Sequence, residues 1–208
     1  MRHQLLENDL QRFNVSRESL TRLETYVELL LTWQEKINLI GPSTVSDVWR
    51  RHVLDALQLL PLLKSRTGVV ADLGSGAGVP GLVLALASDV HVHLYESNGK
   101  KAAFLHEAIR QTKARAEVHQ IRLEALPDHV PSELPHTVTA RALAPLSRLI
   151  DLASPFLLRG ATGLFHKGQD VDSEVLEATK SWKISAIKHP SITDSMGCIL
   201  EVKEIARV

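Results

Sequence analysis

Ten residues, Asp72-Leu73-Gly74-Ser75-Gly76-Ala77-Gly78-Val79-Pro80-Gly81, constrain the fold of this chain more than any other stretch. The β-branched run Val69-Val70-Ala71 before them reads as a buried strand. Leu82-Val83-Leu84-Ala85-Leu86-Ala87 after them has the composition of an apolar helix. Strand, glycine loop and helix together bring backbone close to a ligand and present it with the free N–H groups of a helix N-terminus. A nucleoside-type ligand is the expected occupant.

The loop satisfies two ligand patterns. Gly76, Gly78 and Gly81 fit the G-x-G-x-x-G dinucleotide fingerprint, with Glu96 placed as a ribose-binding acid. Gly74, Gly76 and Gly78 also fit the acid-x-G-x-G-x-G pattern of S-adenosylmethionine-dependent methyltransferases, with Asp72 as the acid. A carboxylate just ahead of the glycines opposes a pyrophosphate, whereas it can accept loop amides near a cationic sulfonium. The chain is also short for a dehydrogenase with a separate substrate domain. These features favour the second pattern. A small NAD(P)-binding oxidoreductase and a non-catalytic RNA-binding nucleoside sensor are the competing readings.

A chain of 208 residues supports one domain with an extension and can bury a sizeable core. The single cysteine, Cys198, excludes a disulfide framework and a cysteine-based zinc site. No apolar core follows Met1, so neither a signal peptide nor a membrane span is expected, and the expected location is cytoplasmic. Basic and acidic residues balance at 24 each, which argues against a general polyanion binder. Their distribution is uneven. Ser97 to Arg122 holds six basic residues (Lys100, Lys101, Arg110, Lys113, Arg115, Arg122) and two acids, a local +4. Such a face can recruit RNA, or it can be an ordinary solvated helix surface.

Residues 1–64 read as a helical extension and 65–208 as a Rossmann-like domain. Ser16 is a candidate N-cap for a helix carrying Leu20, Leu23, Tyr26-Val27 and Leu30-Leu31 at helical spacing, stopped by Gly41-Pro42. A second helix is expected from Ser43 to Leu60. Within it, Arg51 and Asp55 stand four apart, so an intrahelical salt bridge and a surface His52 are the simplest expectation. From Gly68 onward strands and helices alternate, implying a mainly parallel sheet covered on both faces. Expected strands lie at His91–Tyr95, Ala116–Ile121, Thr137–Ala140 and Ala161–Phe165. Expected helices are Lys100–Thr112 (with Ala103, Leu105 and Ile109 in the core), Leu146–Leu157 and Val171–Ser181. Runs at Lys183–Lys188 and Cys198–Ile205 read as a terminal antiparallel hairpin. The fold class is α/β, a class I methyltransferase-like seven-stranded sheet.

Taken together, Trp33-Gln34-Glu35-Lys36-Ile37-Asn38-Leu39, Arg51-His52-Val53-Leu54-Asp55, Asp72 to Gly81, Glu96 to Leu105, Arg122-Leu123-Glu124, Arg141-Ala142-Leu143-Ala144-Pro145-Leu146 and Lys167-Gly168 resemble the RsmG/GidB family of bacterial 16S rRNA guanine-N7 methyltransferases. The resemblance implies S-adenosyl-L-methionine as cofactor and 16S rRNA of the small ribosomal subunit, in its decoding-region loop, as partner. It implies no obligate protein partner and no membrane. Carried over by position, Asp72, Gly74, Gly76, Gly78 and Val79 form the cofactor loop, Glu96 serves the ribose, and Leu123 and Glu124 meet the adenine end. Arg141 stands at the mouth of the pocket. Arg141, Arg122 and His52 are the implied residues of the methyl-transfer site, and Arg51, His52, Lys100, Lys101, Arg122 and Lys167 face the RNA. One departure is present. Family members often carry an arginine just before the last strand, where this chain has Met196-Gly197-Cys198.

Overall fold

Val69–Leu73 (β1) is buried along its whole length, as a strand between two helical layers must be. The computed structural model describes residues 10–208. The other strands are His91–Tyr95 (β2), Ala116–His119 (β3), Thr137–Arg141 (β4), Thr162–Lys167 (β5), Trp182–Pro190 (β6) and Cys198–Arg207 (β7). They form one sheet in the order β3-β2-β1-β4-β5-β7-β6. The first five run parallel, and β7 is antiparallel to both β5 and β6. The chain therefore moves outward from β1 through β2 to β3 and then returns to β4 on β1's other side. That reversal opens a crevice beyond the carboxyl ends of β1 and β4, where ligands of such sheets bind.

Arg17–Gln34 (α1), Gly81–Ala87 (α2) and Gly99–Thr112 (α3) share one apolar core with Val70, Val92 and Leu94. Leu146–Leu157 (α4) and Val171–Ala178 (α5) share another with Ala71, Leu73, Val138 and Ala140. The alternating residues of β1 thus split between the two faces, as the period of a strand requires. All seven residues of α2 are buried, because α1 covers the side that the sheet does not. Ser16 caps α1 by accepting from the Ser19 amide at 3.0 Å. After α1 the Gln34 carboxamide oxygen accepts from both Leu39 and Ile40 amides at 2.9 Å, which fixes the turn of the Trp33–Leu39 motif. Trp33 meanwhile packs edge-on to Phe104 of α3.

Several sequence expectations change in the folded chain. Ser43–Leu60 is not one helix. It runs as a 3₁₀ turn (Pro42–Asp47), a π-helical turn (Trp49–Leu54), a short α turn (Asp55–Leu57) and a last 3₁₀ turn (Leu60–Leu62). The carbonyl of Arg51 in the π turn accepts from Arg141 at 2.9 Å, a tertiary partner that helical spacing cannot reveal. Ala103 is exposed, and Ala102, Phe104 and Leu105 turn inward instead. β3 ends at His119, two residues early, and the helix expected to reach Ser181 ends at Ala178. Among the described residues no helix is long and apolar enough to cross a membrane.

Candidate active site

The glycine loop leaves β1 with Gly74, Gly76 and Gly78 at positive φ. At Gly76 (φ +55°) a Cβ would meet nothing nearer than the Gly74 carbonyl at 3.8 Å, so its outer face opens on the crevice. At Gly81 the reason for glycine is closeness: a Cβ there would lie 2.6–2.7 Å from the Asp72 side chain. The loop is held from both sides. Behind it, the buried hydroxyl of Tyr26 in α1 donates to the Ala77 carbonyl at 2.7 Å. In front, Glu96 accepts from the Gly76 amide at 2.8 Å and, through its other oxygen, from the Asn98 amide at 2.7 Å. Each Glu96 oxygen keeps a further lone pair with which to accept a hydrogen bond.

Asp72 does not hold the loop amides in the expected way; Glu96 does. Asp72 is fully buried beneath the loop, and its Oδ1 accepts from the Thr139 hydroxyl of β4 at 2.7 Å. Its Oδ2 lacks a hydrogen bond of good geometry, although the Gly81 amide lies beside it. Burial pushes the carboxyl up to about 6, against the pull of the Thr139 and Ser75 hydroxyls and the Gly81 amide. Asp72 is therefore a strut between β1, β4 and the start of α2.

Beyond the loop, a polar network joins the helical extension to the ends of β4 and β5. Arg141 Nη1 lies 3.3 Å from Asp55 Oδ2 and 3.2 Å from His52 Nδ1, and Nη2 donates to the Arg51 carbonyl. A guanidinium only donates, so His52 accepts at Nδ1 and carries its proton on Nε2, which donates to Thr44 at 2.8 Å. Burial, reinforced by Arg141, lowers His52 to about 4, so the ring is neutral near pH 7. The other oxygen of Asp55 accepts from Gln58 at 2.8 Å and from Thr193 at 2.5 Å. His166 of β5 donates through Nε2 to the Asp55 carbonyl at 2.9 Å, leaving its buried Nδ1 without a partner. The expected Arg51–Asp55 bridge is absent. Asp55 points inward to Arg141, while Arg51 reaches Asp194, 3.4 Å away in the β6–β7 connection. His52 is buried rather than a surface residue.

The strand register sets Leu73 beside Ala140, so Gly74 and Arg141 leave the sheet side by side. Ala142 then turns to φ +51°, a left-handed conformation that costs a residue bearing a Cβ roughly 1–2 kcal/mol and commonly marks a functional bend. Leu143 folds back over Gly74, where an added Cβ would strike it at 2.6 Å. Ala142, Leu143, Ala144, His166 and Lys167 line a cavity of about 140 Å³ at the ends of β4 and β5. Lys167 is not a free surface cation: it is paired with Glu174 and donates to the Ala144 carbonyl at 3.2 Å. Glu124 is exposed and bound to Arg148 at 2.6 Å. Arg122 opens the 3₁₀ turn Leu123–His129 rather than closing a strand, and is exposed, as is Lys100 at the start of α3.

Of the residues singled out in the sequence, the structure brings the loop, Glu96, His52 and Arg141 to one end of the sheet, and it adds Asp55, Tyr26, Thr139, Leu143 and His166 to their contacts. Gln58 aside, which stands three residues from Asp55, the partners of these added residues lie 51 to 138 positions away, beyond the reach of spacing. The charge of Asp55 in an otherwise apolar stretch was the available signal.

Comparison with known proteins fits this geometry. Among solved structures, TYW2 of M. jannaschii in complex with AdoMet superposes with a TM-score of 0.55 at 14% identity, covering 84% of this chain and 80% of that one. A fibrillarin pre-rRNA processing protein of Methanococcus jannaschii gives 0.53 at 13% identity over 67% of each chain. Both likenesses concern the fold. Sequence relatives are far nearer. The ribosomal RNA small subunit methyltransferase G of Rhodospirillum rubrum is 52% identical over 193 residues, 93% of this chain and 94% of the relative. That of Rhizobium meliloti is 44% identical over 97% of both chains. With residues 19–200 matching the profile of GidB, rRNA small subunit methyltransferase G, the chain belongs to that family.

Proposed function

We propose that this protein transfers the methyl group of S-adenosylmethionine to N7 of a guanine in 16S rRNA, in the decoding-region loop of the small ribosomal subunit, and that it acts in the cytoplasm. The observation that carries the reading is the Gly76 amide bound to Glu96 on a loop whose outer face is open, beside the strand end that bears Arg141. The cofactor, when bound, supplies an electrophilic methyl group on a sulfonium. Gly74, Gly76, Gly78 and Val79 lend it backbone, Glu96 takes the ribose hydroxyls, and Leu123 and Glu124 border the adenine. Glu96 here argues for a ribose, and Asp72 beneath the loop leaves a dinucleotide pyrophosphate without a welcoming charge.

Guanine N7 carries a lone pair and no proton, so it attacks the methyl carbon directly and no general base is required. His52, neutral and hydrogen-bonded at both ring nitrogens, suits positioning better than proton transfer. The protein has to align N7, carbon and sulfur and exclude water. The cavity beside Leu143, lined also by His166 and Lys167, would receive the base, and Arg122, Lys100 and Lys101 would meet RNA phosphates. Arg51 is half-buried against Asp194, and Lys167 is held by Glu174, so any contact of theirs with RNA requires exchanging a carboxylate for a phosphate. The test is mapping of N7-methylguanine in 16S rRNA from cells with and without the protein, complemented by methylation in vitro. Loss of one N7-methylguanine that the purified protein restores is expected. An unchanged pattern refutes the reading.

A further inference from the structure

β2 and β3 each alternate strictly, and the alternation sets apart one face that the methylation chemistry does not use. Val92, Leu94 and Val118 pack into the core under α1 to α3, so His91, His93, Glu117 and His119 project together from the opposite face at the sheet edge. His93 is opposite Glu117 in the register, and His119 follows two residues on. The Nδ1 of His93 and Nε2 of His119 face each other at 2.8 Å. A Glu117 oxygen lies 3.9 Å from His93 Nδ1, and its other oxygen lies 3.5 Å from His91 Nε2. The donor atoms of His93, Glu117 and His119 all lie within 4.8 Å of one another.

We propose that His93, His119 and Glu117 bind one divalent zinc ion, with water in the fourth position. Two imidazoles and a carboxylate are a zinc donor set, and ligand atoms about 2.0–2.2 Å from a tetrahedral centre stand roughly 3.3–3.5 Å apart. Admitting the ion therefore spreads the two ring nitrogens by about half an ångström. Glu117 is largely exposed and moves freely to complete the set, leaving His91. In the metal-free pair one ring donates N–H to the other, and binding moves that proton to the ring's far nitrogen, so no charge is lost from either imidazole. Stacking of His119 on Tyr95, with centroids 4.7 Å apart, orients one ligand in advance. Zinc at this position clips the edge strand β3 to β2. Arg122, Leu123 and Glu124 begin three residues beyond His119, so the ion would also steady the segment offered to the cofactor and RNA.

The test uses the tag-free full chain, stripped with chelator and titrated with zinc chloride in a calorimeter, with cobalt(II) as a spectroscopic probe. One equivalent is expected to bind with micromolar or tighter affinity, to raise the melting temperature and, as cobalt, to give visible d–d bands. His119→Gln should weaken binding at least a hundredfold and Glu117→Gln about tenfold, and both should remove the cobalt bands. Because His93 is buried and its replacement risks the fold, the exposed Glu117 is the decisive position, with circular dichroism confirming that the variant is folded. Absence of stoichiometric binding at about 100 μM zinc, or binding that neither substitution alters, overturns the proposal.

Discussion

The guanidinium of Arg141 and the carboxylate of Asp55 lie 3.3 Å apart and join the end of β4 to the helical extension. Both side chains are largely buried, at 20% and 11% exposure. Removing one partner strands the other, which for buried pairs costs about 3–5 kcal/mol. Asp55→Ala should lower unfolding stability by roughly 3 kcal/mol in urea, and Arg141→Ala by a similar amount. The double variant should lose less than the sum of the two. Additive losses would mean the pair is not coupled.

Arg122 is exposed and bears no such structural duty. Arg122→Ala should leave the urea midpoint unchanged and cut methylation about tenfold at limiting RNA, as expected for one lost charge-assisted contact. Arg115, whose guanidinium donates to the Asp89 carbonyl, is the control and should show a milder effect. Equal rates for both variants across a salt series would identify this face as a plain solvated surface.

Gly76→Val should remain folded, since a Cβ there meets open space, but the φ of +55° makes it strained by roughly 1–2 kcal/mol. Its side chain would project where the cofactor must come, so calorimetric binding of S-adenosylhomocysteine should fall at least tenfold. Gly74→Val should perturb the loop more broadly, because its Cβ would collide with Leu143. Undiminished binding by folded Gly76→Val would place the cofactor elsewhere.

Tyr26→Phe removes one hydroxyl and leaves the Ala77 carbonyl unsatisfied in a buried place. A loss of about 1–2 kcal/mol is expected in denaturant unfolding. Since Ala77 lies between the loop glycines, cofactor binding should weaken in parallel. A change in stability with no change in affinity would uncouple α1 from the loop.

Burial holds His52 and His93 at about 4 and lowers His119 and His166 as well. The unfolded chain takes up these protons near the ordinary 6.5, so between about 4 and 6.5 it binds more protons than the native state. Stability should therefore rise with pH across that window. Asp72, raised to about 6, works the other way, its contribution falling as pH climbs from 3.8 to 6. Four histidines against one aspartate leave the net slope positive. His52→Gln should flatten it by up to one proton's worth in urea midpoints measured at several pH values. A stability that peaks at pH 4 would contradict these environments.

How far the sequence alone reached can be judged residue by residue. The sheet was legible because a parallel strand buried on both faces must be a short apolar run, as Val69–Ala71 is, and because glycines at 74, 76 and 78 have few other uses. Ser16, the alternation of His91–Tyr95 and the hairpin before Val208 were equally local signals. Only the tertiary structure decided which carboxylate holds the loop, where Arg141 and Asp55 point, and that Lys167 is committed to Glu174. It also broke the helix expected from Ser43 to Leu60, because the Arg51 and Asp55 carbonyls and the Asp55 carboxylate serve partners on β4, β5 and the β6–β7 connection. Spacing along a chain encodes which face of an element is apolar. A charged side chain's partner is chosen by whichever element the fold brings within about 3 Å, and for Asp55 the deciding partners, Arg141 and Thr193, stand on β4 and in the β6–β7 connection, far along the chain.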